Sequence, residues 1–529
     1  MKKIMAILLI LTIVVNITSC TKVKKSSATT DSSGTAIVTS TDNPDLSYVP
    51  TQTFDVIPKK SIVPAKTYEL QKNEYLERLE AENQGIAGLK INDEIDGYSG
   101  DGYVTGFKSI SSLNIPAQVF GAGHYNITVC FYAKEMGASA SLKVNSSPIG
   151  DFSPTKEKIY LTATFSELFL EQDNIITIVS KDGNINIDYI EISNSELTDI
   201  KPVSSTLSNS NATEETKSLM KYLTDNYGKK IITGQYVSSP QNLELNLLRE
   251  KTSQYPAIRF GDMSAYTYDN NYGEVNSALD WALGGGGIVG EMWYWLSPNG
   301  SHSIYTADNG FNILNALTNI DISQKTTEEI EQLYADKKIT QECYLILKDI
   351  DLISEKLKIF KDNNVPVLWR PLHEAGGQWF WWGVNEAVYK WLWSLLYNRM
   401  TNYHQLNNLI WIWNGQSKDY LVPMTQYDIA SLDIYLRDET DFSSRSAQFK
   451  WLSKITEQKK LLAVSECGNL PKIDAMLRDK SMWSFFGLWY GEYISNSGFA
   501  LTEGYNSLDD FYNIYNSEKS ITLYDYVNR

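Results

Sequence analysis

Cysteine and histidine are scarce in this chain of 529 residues: four of each. Beyond Cys20 the cysteines (130, 343, 467) are scattered and odd in number, which excludes a disulfide framework; they are expected to be free and mostly buried. The histidines (124, 302, 373, 404) form no paired set, and His373-Glu374 continues as Ala-Gly-Gly, so it is not the helical HExxH zinc arrangement. Positive charge is short as well. A net charge of −16 makes nucleic acid and anionic membrane surfaces poor partners, while a neutral polymer meets no repulsion. No long apolar run exists past the N-terminus. The run from Ile4 to Val15 is short for a membrane span. Tryptophan is absent from the first half: all 14 lie at or after Trp281.

What is present divides the chain. Lys2 and Lys3 precede the apolar run, and Ile17-Thr18-Ser19-Cys20 resembles the bacterial lipobox, which implies lipidation at Cys20 after loss of a signal peptide over 1–20. The expected location is the cell surface, with simple secretion as the alternative. Residues 21–72 are rich in Ser, Thr, Asp, Lys and Pro without periodicity and read as a flexible tether. Residues 73–193 carry short alternating runs such as HYNITVCFYA and INIDYIEIS between glycine turns, the pattern of an all-β sandwich. A polar linker, 194–212, follows.

From 213 to 529 apolar β runs alternate with helical stretches. Eight strands are expected, at 229–236, 256–266, 287–295, 365–374, 407–415, 428–435, 461–468 and 484–492. Eight β/α units predict a (β/α)8 TIM barrel, with a doubly wound sheet as the alternative. Polar and aromatic groups gather at the C-terminal ends of these runs: Gln235, Asp262, Trp293-Tyr294-Trp295, His373-Glu374, Asn414, Asp433-Tyr435, Glu466 and Trp489. A barrel places its site at that end.

The richest stretch is VPVLWRPLHEAGGQWFWWG, residues 365–383. A buried strand stops in Glu374, and Trp379, Phe380, Trp381 and Trp382 follow at once. A carboxyl in an apolar setting retains its proton near neutral pH, and flat aromatic faces suit sugar rings. Glu466 closes the seventh run. Strands four and seven lie roughly opposite in a barrel, so the two acids can face each other. Retaining glycosidases hold their carboxyls about 5–5.5 Å apart, inverting ones about 6.5–9.5 Å.

RPLHE, WFWWG and Glu466-Cys467-Gly468 together resemble glycoside hydrolase family 26 over essentially all of 213–529. The resemblance implies a retaining endo-β-1,4-mannanase acting on mannan, glucomannan or galactomannan, with lichenase or xylanase activity as alternatives and a non-catalytic glycan-binding protein as another class. It implies Glu374 as acid/base and Glu466 as nucleophile. It implies His373, Trp379, Tyr435, Trp489, Trp293, Tyr294, Trp295 and Asp433 around the sugar, with Tyr435 orienting the nucleophile, and no cofactor for the chemistry. One position departs: the third strand usually ends Trp-His-Trp, and here reads Trp293-Tyr294-Trp295. His302, nearby in SPNGSHS, could replace the missing histidine or sit in a surface loop. YLERLEAEN and GNINIDYIEI resemble the ends of a family 35 carbohydrate-binding module, a jelly roll, which implies a structural Ca²⁺ on Glu80, Glu82 and Asp188. Glycan contacts there would fall to Tyr98, Tyr103 or Asn184. A monomer is expected.

Overall fold

The computed structural model describes residues 48–66, 76–86, 88–108, 111–119, 121–436 and 444–529; the expected signal peptide, Cys20 and most of the tether lie outside them. The N-terminal module is a sandwich of two antiparallel sheets. Six strands, including Gly123–Ala133, Tyr160–Leu170 and Ile185–Asn194, form one sheet, and four (Ser112–Gln118, Asp173–Asp182, Ser139–Val144, Ser147–Phe152) form the other. Strict alternation builds the core. Leu113, Ile115 and Ala117 of one strand and Ala140, Leu142 and Val144 of another point inward against Ile127, Val129 and Phe131 of the facing sheet. Pro116 has no amide to donate and sits accordingly in an edge strand.

The C-terminal module is a closed parallel barrel. Its strands are β1 (Gly234–Tyr236), β2 (Ile258–Asp262), β3 (Ile288–Trp293), β4 (Val367–Pro371), β5 (Leu409–Trp413), β6 (Ile429–Ile434), β7 (Leu461–Cys467) and β8 (Phe486–Leu488). Each lies within one of the eight expected runs. β3, β4, β5, β6 and β7 are buried along their whole length, which is why these runs are mostly apolar on both faces rather than alternating, with Glu291, Arg370, Asp433 and Glu466 as the charged exceptions. Gly290 in β3 has a packing reason: a Cβ there would meet the Phe260 ring at 2.2 Å. One helix of the barrel pattern is missing. β5 and β6 are joined only by the short turns Lys418–Tyr420 and Met424–Gln426. The linker covers part of that flank, with Leu207 buried and Ser208 N donating to Asp428.

The expected flexible tether is corrected over residues 48–66, which are strapped to the barrel. Phe54 is buried edge-on against Tyr255 and Trp281. Thr51 donates to Asp280 through N and Oγ1, both at 2.7 Å. Lys59 Nζ donates to the Ser517 and Ser520 carbonyls at 2.8 Å and pairs with Asp525. Single anchors spaced along an aperiodic segment leave no pattern to read. The two modules also touch directly. His124 Nε2 meets Asp479 Oδ1 at 2.9 Å, Lys450 pairs with Glu167 at 2.7 Å, and the Arg478 guanidinium lies 3.5 Å from the centre of the Phe169 ring. The three cysteines at 130, 343 and 467 are free and buried.

Candidate active site

The chain leaves β4 through a strained turn. Leu372 and Glu374 both take left-handed backbone angles, φ 52° and 53°, which cost a side-chain-bearing residue free energy and need outside support. Asn414, just past β5, supplies it. Its carbonyl and its Oδ1 both accept from Glu374 N, at 2.8 and 3.0 Å. Trp382 Nε1 donates to the His373 carbonyl at 2.9 Å and closes the turn from the other side. Glu374 is thus aimed by its neighbours' side chains as much as by its own strand.

Glu466 is aimed by an irregularity. The β6–β7 register shifts between Leu432 and Asp433, and the β7–β8 register between Val464 and Cys467. Bulges of this kind re-aim side chains beside functional sites. Arg370 Nη2 donates to Glu466 Oε1, and Tyr435 OH donates to Oε2 at 2.9 Å. Arg370 Nη1 donates to Asp433 Oδ2 at 2.9 Å. Asp433 Oδ1 accepts from Ser465 Oγ at 2.6 Å and from Asn414 Nδ2 at 3.1 Å. One buried network therefore runs from the Glu374 turn through Asn414, Asp433 and Arg370 to Glu466. Across the mouth, Glu374, Asp433 and Glu466 each place a carboxylate oxygen within 4.8 Å of the others.

That crowding separates the two acids electrostatically. Burial, then the charges of Asp433 and Glu466, push the Glu374 carboxyl up to about 9, so it keeps its proton at neutral pH. Burial and Asp433 also raise Glu466, but Arg370 and the Tyr435 hydroxyl stabilise its anion and hold it below Glu374. The pair is thus split, Glu374 the group that keeps its proton and Glu466, raised only to about 7, the more readily ionised, the ordering that acid-assisted nucleophilic displacement at a glycosidic bond requires.

The other expected residues divide into those at the mouth and those beneath it. Trp379 is 47% exposed and lies flat over Gly377, where a Cβ would meet its ring at 2.2 Å; only glycine permits that approach. The loop after β3 holds this segment in place, with Thr306 N donating to the Trp379 carbonyl at 2.8 Å. Trp489 is half-buried beside Tyr236 and Tyr490. The Tyr294 ring packs edge-on to His373, centroids 4.6 Å apart, and faces Trp489 at 6.2 Å. His373 is fully buried, neither ring nitrogen has a partner, and burial and Arg370 depress its pKa far enough to leave it neutral.

Two expectations are corrected, for Trp293 with Trp295 and for Asp433. Trp293 and Trp295 are fully buried, stack on each other at 3.9 Å and do not reach the cleft. The two-residue period of extended chain explains it: Tyr294 points one way, so both neighbours point the other. Asp433 does not face a sugar either; its carboxylate is committed to Arg370, Asn414 and Ser465. His302 takes the surface-loop reading: it is exposed, against Tyr268. Phe380, Trp381 and Trp382 are buried packing. Sequence reasoning missed Gln416, which donates to the Asp433 carbonyl at 2.8 Å and hydrogen-bonds the Glu374 carboxyl. Its only signal was its place two residues beyond Asn414.

In the sandwich, Glu80, Glu82 and Asp188 converge on one loop. Glu80 accepts from Ser99 Oγ at 2.6 Å, Glu82 from Asp101 N at 2.8 Å and Asp188 from Ser99 N at 2.9 Å. The second Glu82 oxygen is buried without a partner. An all-oxygen acidic set with an orphaned buried carboxylate oxygen fits a hard cation. Tyr103 is buried and bonded to Asn92, so it is not available to a glycan; Tyr98 is half-buried beside it.

The profile of glycosyl hydrolase family 26 matches residues 208–514. The chain belongs to glycosyl hydrolase family 26. It is 31% identical to mannan endo-1,4-beta-mannosidase A of Piromyces sp. over 78% of this chain and 68% of that protein. It is 29% identical to mannan endo-1,4-beta-mannosidase of Thermothelomyces thermophilus over 84% of this chain and 89% of that one. Among solved structures, a Podospora anserina GH26-CBM35 β-(1,4)-mannanase superposes with a TM-score of 0.57 at 28% identity, covering 85% of this chain and 98% of that one. The superposed share exceeds the barrel alone, so it takes in the N-terminal sandwich. As a family 26 member with both acids in place, the protein is a glycoside hydrolase.

Proposed function

We propose that the protein is a retaining endo-β-1,4-mannanase. The observation that carries the mechanism is the Glu374–Glu466 pair, with carboxylate oxygens within 4.8 Å. One oxygen of each carboxyl lying within 4.8 Å of the other favours the closer spacing of retaining enzymes, roughly 5–5.5 Å, over the roughly 6.5–9.5 Å that admits the water of an inverting one. The Glu374 carboxyl gives its proton to the glycosidic oxygen while the Glu466 carboxylate attacks the anomeric carbon. The C–O bond to the leaving sugar breaks and a glycosyl-enzyme ester forms. Glu374, now ionised, takes a proton from water, whose oxygen attacks the same carbon and frees Glu466. Tyr435 and Arg370 orient the nucleophile, and Trp379 and Trp489 flank the cleaved bond. The relatives' activity supports mannan as substrate. Incubation with glucomannan, barley β-glucan and xylan, with products resolved by size, tests it. Products from glucomannan alone or foremost support the reading, preference for β-glucan or xylan replaces it with lichenase or xylanase activity, and no products favour a glycan-binding protein.

The sandwich is read as a carbohydrate-binding module steadied by Ca²⁺ on Glu80, Glu82 and Asp188. The N-terminus is read as a lipoprotein signal that anchors the protein at the cell surface through Cys20. Loss of membrane association in Cys20→Ala tests the anchor; unchanged membrane association refutes it.

A further inference from the structure

A groove lies between the two modules, its barrel wall built from the end of β6 and the helix Ser446–Ile455 that follows it. It has a volume of about 1740 Å³ and runs between the outer face of the four-stranded sandwich sheet and the barrel flank. Small-molecule pockets take about 300–1,000 Å³, so this space exceeds what one sugar unit fills. On the sandwich side Ser141, Lys143 and Lys181 line it; on the barrel side Trp451 does. Trp451 is 37% exposed on the helix Ser446–Ile455. The groove is not separate from the chemistry. Its barrel wall continues to Gln416 and Tyr435. Tyr435 donates to the nucleophile Glu466, and Gln416 reaches Glu374.

We propose that this groove is a second glycan-binding site, built jointly by the two modules, which holds the polysaccharide chain where it leaves the catalytic mouth past Tyr435. Its occupant is the neutral, hydroxyl-rich continuation of the same polymer that the barrel cuts, so the proposal rests on the glycanase reading above. Three features argue for that occupant: continuity with the catalytic wall, a half-exposed indole on which a pyranose face stacks, and the Lys143 ammonium opposite it as a hydrogen-bond donor, Ser141 and Lys181 being engaged with Asp151. The buried His124–Asp479 contact and the Lys450–Glu167 pair join the sandwich to the barrel, so both walls belong to one path.

The test compares the parent protein with Trp451→Ala and Lys143→Ala, one from each wall. The readout is the ratio of kcat/KM on soluble polymer to kcat/KM on the shortest oligosaccharide cleaved. Loss of one stacking or hydrogen-bonding contact is expected to lower that ratio about fivefold, carried by KM on the polymer. A ratio within twofold of the parent for both variants overturns the proposal. If the parent cleaves neither glucomannan, β-glucan nor xylan, the glycanase reading has failed, and affinity electrophoresis in the same polysaccharides tests the groove directly. Weaker retardation of the variants then supports a binding groove, and equal retardation overturns it.

Discussion

Replacing Arg370 by Met perturbs the centre of the network. Arg370 is fully buried and pairs with both Asp433 and Glu466. Its loss leaves two buried carboxylates without their cation. Removing one partner of a buried pair costs about 3–5 kcal/mol, most of it the cost of stranding the other charge. For a domain of this size that lowers the melting temperature by roughly 10 °C. The same change acts on the chemistry. Without the guanidinium the Glu466 anion is less stable, so its pKa rises, by about 1–3 units for the loss of an adjacent opposite charge. Glu466 must be ionised to attack, so the acidic limb of the kcat/KM profile moves to higher pH. Arg370→Lys keeps the charge but loses the fork that grips both acids, and falls between parent and Met variant. Calorimetry and a pH–rate profile on soluble glucomannan read both effects. An unchanged melting temperature with an unmoved acidic limb would refute the view that Arg370 couples Asp433 to the nucleophile.

Tyr435→Phe removes the hydroxyl that Glu466 accepts at 2.9 Å; hydrogen bonds to charged groups are worth about 1.5–3 kcal/mol, so kcat/KM should fall about 10–100-fold with polymer binding retained, as steady-state kinetics and affinity electrophoresis would show. The module interface should weaken in acid. Burial lowers the His124 pKa below 6.5, so the unfolded chain binds the extra proton and stability drops as pH falls through that value. Burial alone would raise Asp479, but hydrogen bonds from His124, Arg478 and Ser444 outweigh it and hold it at about 2, and that contribution is lost between about pH 4 and 2. His124→Gln should flatten the decline in melting temperature between pH 7 and 5; an unchanged slope would show that the histidine does not titrate with unfolding. Chelation should lower the melting temperature of the sandwich transition in calorimetry while leaving kcat on a short oligosaccharide unchanged, and the opposite pattern would place the cation in the barrel.

The barrel was legible because its strands are buried on both faces and therefore read as mostly apolar runs, each ending in a polar residue. Glu374 and Glu466 stood out for the same reason: an acid directly after such a run has to be held by something. What held them was less visible. Asp433 lies at a strand end like the two glutamates, and nothing in its local sequence tells a carboxylate that faces the cleft from one that clamps Arg370 beneath it. Trp293 and Trp295 carried their own correction, since alternation along extended chain allows either Tyr294 or its neighbours to face the mouth, not all three. The strap at 48–66 depends on isolated anchors, Phe54 and Lys59, whose partners lie hundreds of residues away, and no periodicity records such contacts. The open flank at β6 could be suspected from the short spacing between 415 and 428, too brief for a helix and two turns.

The most direct measurement is the configuration of the first sugar released. Proton NMR of a soluble manno-oligosaccharide during the first minutes of cleavage resolves the new reducing end before it equilibrates in water. With Glu374 as acid and Glu466 as nucleophile within 4.8 Å, two displacements return the β-anomer first. The α-anomer appearing first would mean a single inverting displacement and would contradict the assignment of Glu466 as nucleophile.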